Sequence, residues 1–295
     1  MEKIVIAGGS GFIGTGLATH LRKSGHEVWI LSRKASDPDR FFLHWDPEAG
    51  KIDHSAIAGT SVLINLCGAE LAAKRWTKSR IRELYDSRVN TTKFLFESFK
   101  HSTTLKQYVS ASGAVAYGFE HPEVTYKETD SFGKDIISDI TRKWERAADQ
   151  FSHQCIVTKV RISVVLSESG GALKKLAGPI KKGFGAVLSS GEQVIPWIYQ
   201  EDLSRLFEWV IANKLEGPYH AAAGNTTNKE LTKLIAKSLK KRLLPNVPGF
   251  IIRILFGKMA DMLLYGNRVS NEKILQSGFS FHYGNLNSTI QRIFG

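Results

Sequence analysis

The chain has 295 residues, of which 42% are hydrophobic and 23% charged, a balance that fits a folded globular protein and excludes a disordered or fibrous one. No run of about 18 uncharged apolar residues occurs, since the nearest candidate, residues 247–265, is broken by Arg253, Lys258 and Asp261, and no membrane partner is expected. The net charge of +12 would suit nucleic acid, acidic membranes or phosphorylated ligands, but the cations lie in small scattered groups without interleaved aromatics, so no nucleic-acid partner is expected.

Met1-Glu2-Lys3 leads directly into Ile4-Val5-Ile6-Ala7, a short apolar run that reads as a buried strand. No signal peptide is expected there. The strand runs into Gly8-Gly9-Ser10-Gly11-Phe12-Ile13-Gly14, and helical periodicity follows at Leu17 and Leu21. A strand, a glycine turn and a helix in that order form the context of a dinucleotide site. Gly8 allows the tight turn, Gly11 lets the backbone approach a pyrophosphate, and Gly14 lets helix and strand pack closely. The helix N-terminus offers N–H groups and a positive dipole to phosphates.

His26–Leu31 is the second predicted strand, ending at Ser32-Arg33-Lys34. An acidic residue at that point would hydrogen-bond an adenosine ribose, whereas an Arg suits a 2′-phosphate. Ser32 and Arg33 therefore point to NADP(H) rather than NAD(H). Phe41–Trp45 is a candidate third strand and Ser61–Leu66 an almost wholly apolar fourth, as central parallel strands are. One long helix is expected over 79–100 and a fifth strand ends at 108–111. A helix follows over 135–151, with Ile136, Ile140, Trp144, Ala147 and Phe151 on one face. A sixth strand is expected over 155–166. The alternation predicts an α/β fold, a Rossmann-type doubly wound parallel sheet.

Glycine turns at Gly170-Gly171, Gly183, Gly185 and Gly191 mark a change of character after Ser167. The division expected is a Rossmann domain over 1–166 and a smaller substrate lobe over 167–295, with some later segments free to pack back onto the first. Cys67 and Cys155 form no CxxC pair, and a reducing cytoplasm is the expected setting. The nine histidines show neither HxxxH nor HExxH spacing, and no metal site is expected.

Further stretches run in order through the chain: Ile64-Asn65-Leu66-Cys67-Gly68, Arg75-Trp76-Thr77, Asp86-Ser87-Arg88-Val89, Ser110-Ala111-Ser112, Trp144-Glu145, Arg161–Ser167, Pro196-Trp197-Ile198, Asp202-Leu203, Thr227–Glu230 and Gly257–Ala260. With the glycine turn they resemble the short-chain dehydrogenase/reductase superfamily in its extended or atypical form. More closely, they resemble its epimerase-family proteins that end in a DUF1731 domain, which here would cover about 245–293. The resemblance spans essentially the whole chain. It implies NADP(H) contacts at Gly8–Gly14, Ser32 and Arg33, at Leu66 and Cys67, at Glu83 and Arg88 on the following helix, and at Val165. It also implies a small-molecule substrate and a homodimer. Cys67 stands where a small Ala is usual in that family, and Lys258 where an acid is often found.

Typical members of the superfamily carry Tyr-x-x-x-Lys on one helical face, where Lys lowers the Tyr pKa and Tyr acts as acid or base. None of the eight tyrosines here has Lys four residues later. Thr141 and Glu145 stand at the corresponding positions, and Glu reverses the sign of the charge. Ser112 matches the substrate-polarising Ser, and Tyr117 is a candidate donor to a substrate oxygen. Glu145 reads either as a buried base or as half of a structural ion pair. Trp144 reads as core, Gln193 and Trp197 as substrate-side, and Asp202 as substrate-side or as a helix N-cap. Two functions follow: an NADP(H)-dependent oxidoreductase or epimerase with an unusual catalytic centre, or a non-catalytic NADP(H)-sensing regulator.

Overall fold

The computed structural model describes residues 1–118 and 123–295. In chain order, β1 (Lys3–Ala7), α1 (Phe12–Lys23), β2 (Glu27–Ser32), β3 (Phe42–Asp46), β4 (Lys51–Ile52) and β5 (Val62–Asn65) open the fold. α2 (Lys78–Asp86), α3 (Val89–Phe99), β6 (Gln107–Gly113), β7 (Thr125–Tyr126), α4 (Ile136–Ala148), β8 (Ile156–Ile162) and β9 (Val164–Leu166) follow. Next come α5 (Gly171–Lys181), β10 (Ala186–Leu188), β11 (Val194–Tyr199), α6 (Gln200–Ala212), β12 (Gly217–Ala221), β13 (Gly224–Thr227) and α7 (Asn228–Ser238). The chain closes with β14 (Leu244–Val247), α8 (Gly249–Phe256), α9 (Ala260–Leu264), β15 (Arg268–Val269), α10 (Glu272–Gln276) and α11 (Leu286–Phe294).

The main sheet has the order β12-β8-β6-β5-β1-β2-β3-β4. Every pairing in it is parallel except β3 with β4. Successive residues of β1 face opposite sides: Ile4 and Ile6 join one core cluster, Val5 and Ala7 the other. On the first side lie Leu17 and Leu21 of α1 and Leu206 and Val210 of α6. On the second lie Leu95 and Phe99 of α3, with Tyr108 stacked on Phe151 at 3.8 Å between centroids. Burial on both faces explains why the central strands are continuous apolar runs. The strand order reverses between β1 and β5, and the crevice outside their carboxyl ends is where this topology binds ligands.

Two expected elements are divided in the structure. The helix over 79–100 breaks at Ser87-Arg88 into α2 and α3. Ser87 Oγ accepts from Ala69 N at 2.9 Å, and Arg88 Nη1 donates to Leu84 O at 3.1 Å. Side chains thus hold the loop after β5 against the break. The strand over 155–166 breaks at Ser163, whose Oγ donates to Ala221 O at 2.6 Å. β8 stays in the main sheet, while β9 turns into a separate sheet of order β13-β11-β9.

That small sheet, with α5, α7 and α11, encloses a second core around Leu166, Leu173, Trp197, Leu231 and Ile290. The chain does not stay there after residue 167. α6 returns to pack on α1, and β12 pairs with β8 at the edge of the main sheet.

Candidate cofactor and active site

β1 delivers the chain to the switch point at Gly8, where φ is +78°. A Cβ on Gly8 would stand 3.0 Å from the Leu66 carbonyl carbon and 3.1 Å from Cys67 N. Glycine is required there both by the backbone angle and by the closeness of the β5 loop. Gly11 N donates to Gly8 O at 3.1 Å and closes the turn. A Cβ on Gly14 would lie 2.5 Å from Gly8 O, so α1 starts pressed against its own turn. Gly11 is the N-cap of α1, without a side-chain cap and without an acid in the first turn. The helix therefore keeps N–H donors and its positive end for an anion. This cradle fits the pyrophosphate of a dinucleotide.

Ser10 and Gly11 are exposed at the apex, Gly9 packs on Ile30, and Ile13 is half-buried beside the core. Phe12 packs toward the turn at Gly170-Gly171. Its ring lies on Gly170 and Gly171, where a Cβ would come within 2.5 and 2.8 Å. Gln200 Nε2 donates to Phe12 O at 3.4 Å. The second lobe is thus seated directly on the glycine turn. Val165, buried in β9 beside Ile198, belongs to that seam.

At the end of β2, Ser32 Oγ accepts from Lys34 N at 3.2 Å and shapes the turn that presents Arg33. Arg33 is exposed and has no ion pair or hydrogen bond among the described residues. Its charge nevertheless acts on the Cys67 thiol, which places both at the same edge of the sheet. Burial pushes Cys67 up to about 12 against the opposing pull of Arg33, so the group is a neutral thiol.

Asn65 is a contributor that the sequence reading passed over. Its Nδ2 donates to Thr92 Oγ1 and Tyr108 Oη, both at 3.0 Å, and its Oδ1 accepts from Cys67 N at 3.0 Å. This buried amide fixes the Leu66-Cys67 backbone against Gly8. An Asn interrupting an apolar strand was the available signal.

Arg88 lies in the same loop region. Its guanidinium sits against Gly68, donates to Ala69 O at 3.1 Å, and covers the Trp144 ring at 5.3 Å. Burial, with the nearby Arg80 charge, lowers it to about 10, and no carboxylate pairs with it among the described residues. Trp144 Nε1 is buried without an acceptor. Of these two neighbouring donors, only the Trp144 N–H lacks an acceptor among the described residues. Glu83 is exposed on α2 and pairs with Arg80 at 2.7 Å.

At the carboxyl ends of β6 and β8 lies a closed polar cluster. Ser112 Oγ donates to Glu145 Oε1 at 2.6 Å. Arg161 Nε and Nη2 donate to the two Glu145 oxygens at 2.8 and 2.9 Å. Arg161 Nη1 donates to Tyr117 Oη at 2.6 Å and Glu128 O at 3.1 Å. His220 Nδ1 meets Ser270 O at 2.8 Å, and a carbonyl can only accept, so Nδ1 carries a proton. In the neutral ring Nε2 is then an acceptor, and Tyr117 Oη lies 2.5 Å from it and 2.9 Å from Lys127 O. All six side chains are buried. Burial lowers Arg161, but the hydrogen bonds and charge of Glu145 outweigh it and hold the guanidinium above its ordinary value. Burial raises the Tyr117 phenol despite Arg161.

This arrangement corrects several expectations. Tyr117 is turned into the cluster, and its hydroxyl is fully engaged there rather than presented to a substrate oxygen. Ser112 directs its proton to Glu145, leaving only its oxygen lone pairs for a ligand. Thr141, at the usual Tyr position, donates to Ile137 O at 2.7 Å within its own helix. Asp202 is not an N-cap. Fully buried, it accepts from His282 N at 3.0 Å and Tyr283 N at 2.8 Å, tying the C-terminal segment to α6. Gln193 bridges Leu188 O and Leu263 O, and Trp197 lies in the second core. Arg161, Glu128 and His220 were missed by the sequence reading. An Arg between Val160 and Ile162, near the end of a strand that reads Ile-Val-Thr-Lys-Val-Arg-Ile, was the visible sign.

Comparison with known proteins shows the family and the fold. Residues 4–222 match the NAD dependent epimerase/dehydratase family, and residues 247–293 match a domain of unknown function, DUF1731. Epimerase family protein SDR39U1 of Homo sapiens is 30% identical over 300 residues, covering 99% of each chain. Epimerase family protein MT2273 of Mycobacterium tuberculosis is 31% identical over 293 residues, covering 97% of this chain and 96% of that one. The crystal structure of human SDR39U1 with NADPH superposes with a TM-score of 0.89 at 28% identity, covering 99% of this chain and 98% of that one. A UDP-N-acetylglucosamine 4-epimerase from Bacillus cereus, 15% identical with a TM-score of 0.78 over 100% of this chain and 98% of that one, shares the fold.

Proposed function

This chain belongs to the NAD dependent epimerase/dehydratase family, and from that membership we propose an NADP(H)-binding oxidoreductase or nucleotide-sugar-epimerase-like protein acting on a small molecule. The observation that carries the cofactor choice is Arg33, an exposed and unpaired guanidinium following Ser32 at the end of β2. A planar guanidinium suits a 2′-phosphate, and no acid stands there to hold a ribose hydroxyl. The NADPH bound to human SDR39U1 supports the same choice.

Gly8, Gly11 and the first turn of α1 would hold the pyrophosphate, and Leu66 and Cys67 would line the crevice beside it. The nicotinamide, when bound, supplies or accepts hydride. The protein must then manage a proton at the substrate oxygen. With Tyr117 enclosed, Ser112 is the remaining candidate catalytic hydroxyl. Its Oγ can take a proton from a carbinol while its own proton passes to Glu145, which Arg161 holds in place.

Titration with NADPH and NADH, followed by reduced-nicotinamide fluorescence, tests the cofactor reading. NADPH should bind about 10–100-fold more tightly, and Arg33→Ala should remove that preference, as expected for one charge-assisted contact. Failure of both cofactors to bind would overturn it. A second reading, a non-catalytic NADP(H) sensor, is favoured by the enclosure of Tyr117 and the closed Glu145–Arg161 pair. Turnover of any carbonyl or carbinol substrate would remove it.

A further inference from the structure

α8 carries the sequence Gly-Phe-Ile-Ile-Arg-Ile-Leu-Phe. At about 100° per residue, Phe250, Ile251, Ile254 and Leu255 fall on one arc of about 140°. That arc is open: Phe250 is 65% exposed, Ile254 68%, Leu255 56% and Ile251 36%. The opposite side is anchored, with Ile252 buried and Phe256 packed beside Met259, Trp76 and Ile140. The helix is therefore held firmly while presenting its apolar face outward. Leu244 and Phe184 are exposed as well and lie beside one another, with Leu244 N donating to Gly185 O at 2.8 Å. Contiguous apolar surface of this kind marks an interaction site, not scattered surface residues.

The charge of the stretch that carries α8 selects the partner. Residues 240–268 contain six cations, Lys240, Lys241, Arg242, Arg253, Lys258 and Arg268, against one acid, Asp261. All six cations are exposed. Arg253 sits on the edge of the apolar arc and pairs with Asp261 at 3.0 Å, which takes up the one acid of this stretch and leaves five of its six cations. A second copy of this chain would bring a like-charged surface against it. A sheet of anionic headgroups over an apolar interior matches both halves of the surface. Among the described residues no helix is long and apolar enough to cross a membrane, and α8, about 12 Å long, would lie in the interface.

We propose that the α8 face is a peripheral docking site for an anionic lipid bilayer, with Phe250, Ile251, Ile254 and Leu255 entering the headgroup boundary and the Lys240-Lys241-Arg242 group meeting the charge. This departs from the expectation of no membrane partner, which rested on the lack of a spanning segment. The proposal is independent of the cofactor reading.

Co-sedimentation of the full chain with phosphatidylcholine vesicles containing about 30% phosphatidylglycerol tests it, beside vesicles of phosphatidylcholine alone. Binding should be at least tenfold stronger to the anionic vesicles, should weaken as salt is raised, and should fall at least tenfold in Phe250→Glu/Ile254→Glu. Lys240→Ala/Lys241→Ala, which leaves the apolar face intact, should weaken binding to a lesser degree. NADPH fluorescence and the thermal midpoint report whether each variant is folded. Absence of binding to anionic vesicles, or equal binding by the folded Glu variant, overturns the proposal. A concentration-dependent dimer of the parent, lost in the Glu variant, with no vesicle binding, would assign the face to self-association instead.

Discussion

Arg161 grips Glu145 through two parallel hydrogen bonds, Nε to Oε1 at 2.8 Å and Nη2 to Oε2 at 2.9 Å, with both side chains buried. Arg161 lies on β8 and Glu145 on α4, so the pair fixes helix to sheet at the level of the candidate catalytic hydroxyl. Where related enzymes place a cation four residues after a Tyr on the helix, this chain places the anion on the helix and draws the cation from the strand. Breaking one side leaves the other charge buried alone. Glu145→Ala should destabilise the fold by about 3–5 kcal/mol, whereas Glu145→Leu/Arg161→Met should lie within about 1–2 kcal/mol of the parent. Urea denaturation of the three proteins checks this, and a mild Glu145→Ala would refute it.

Ser112→Ala separates structure from chemistry. Loss of a hydrogen bond to a charged group should lower stability by about 1.5–3 kcal/mol, with NADPH affinity unchanged. Turnover should fall by about 10²-fold or more if Ser112 handles the substrate proton. An active Ser112→Ala protein would move the proton step elsewhere.

His220 introduces a pH dependence. The group is fully buried, and burial lowers its pKa below the ordinary 6.5, against the Glu128 and Glu145 charges that raise it and with Arg161 lowering it further. Tyr117 also faces it and remains neutral. The unfolded chain therefore takes up a proton on this residue at a higher pH than the folded chain. Its contribution to stability is intact above about 6.5 and declines as pH falls from there toward the folded value. Denaturation midpoints measured between about pH 5 and 8 should decline less steeply in His220→Gln than in the parent. Parallel profiles would show that His220 does not titrate in this range.

Trp144 carries the unmatched donor beside Arg88. Trp144→Phe keeps the ring under Arg88 but removes the N–H that lacks an acceptor. Stability should rise or stay level, because a buried unsatisfied donor costs about 1–3 kcal/mol. If a bound ligand supplies the acceptor, affinity for NADPH or substrate should fall by about tenfold in the same variant. Lower stability without any change in binding would mark Trp144 as packing alone.

The local features of the chain were legible in its sequence because they depend on neighbours in the chain. The period-two burial of β1, the glycine spacing before α1 and the apolar β5 follow from strand pleat, backbone angle and helix entry. The family resemblance rests on the same ordered local motifs. Tertiary structure alone decided the rest. Helix breaking at Ser87-Arg88 depends on Ala69, which reaches back from another loop, and the division of β8 from β9 depends on Ala221. The roles of Ser112, Tyr117 and Asp202 were set by Glu145, His220 and the backbone at 282–283, up to 103 residues away. A hydroxyl or carboxylate can serve a ligand or the fold. Which it serves depends on the partner that burial brings within hydrogen-bonding distance, and no local spacing specifies that partner.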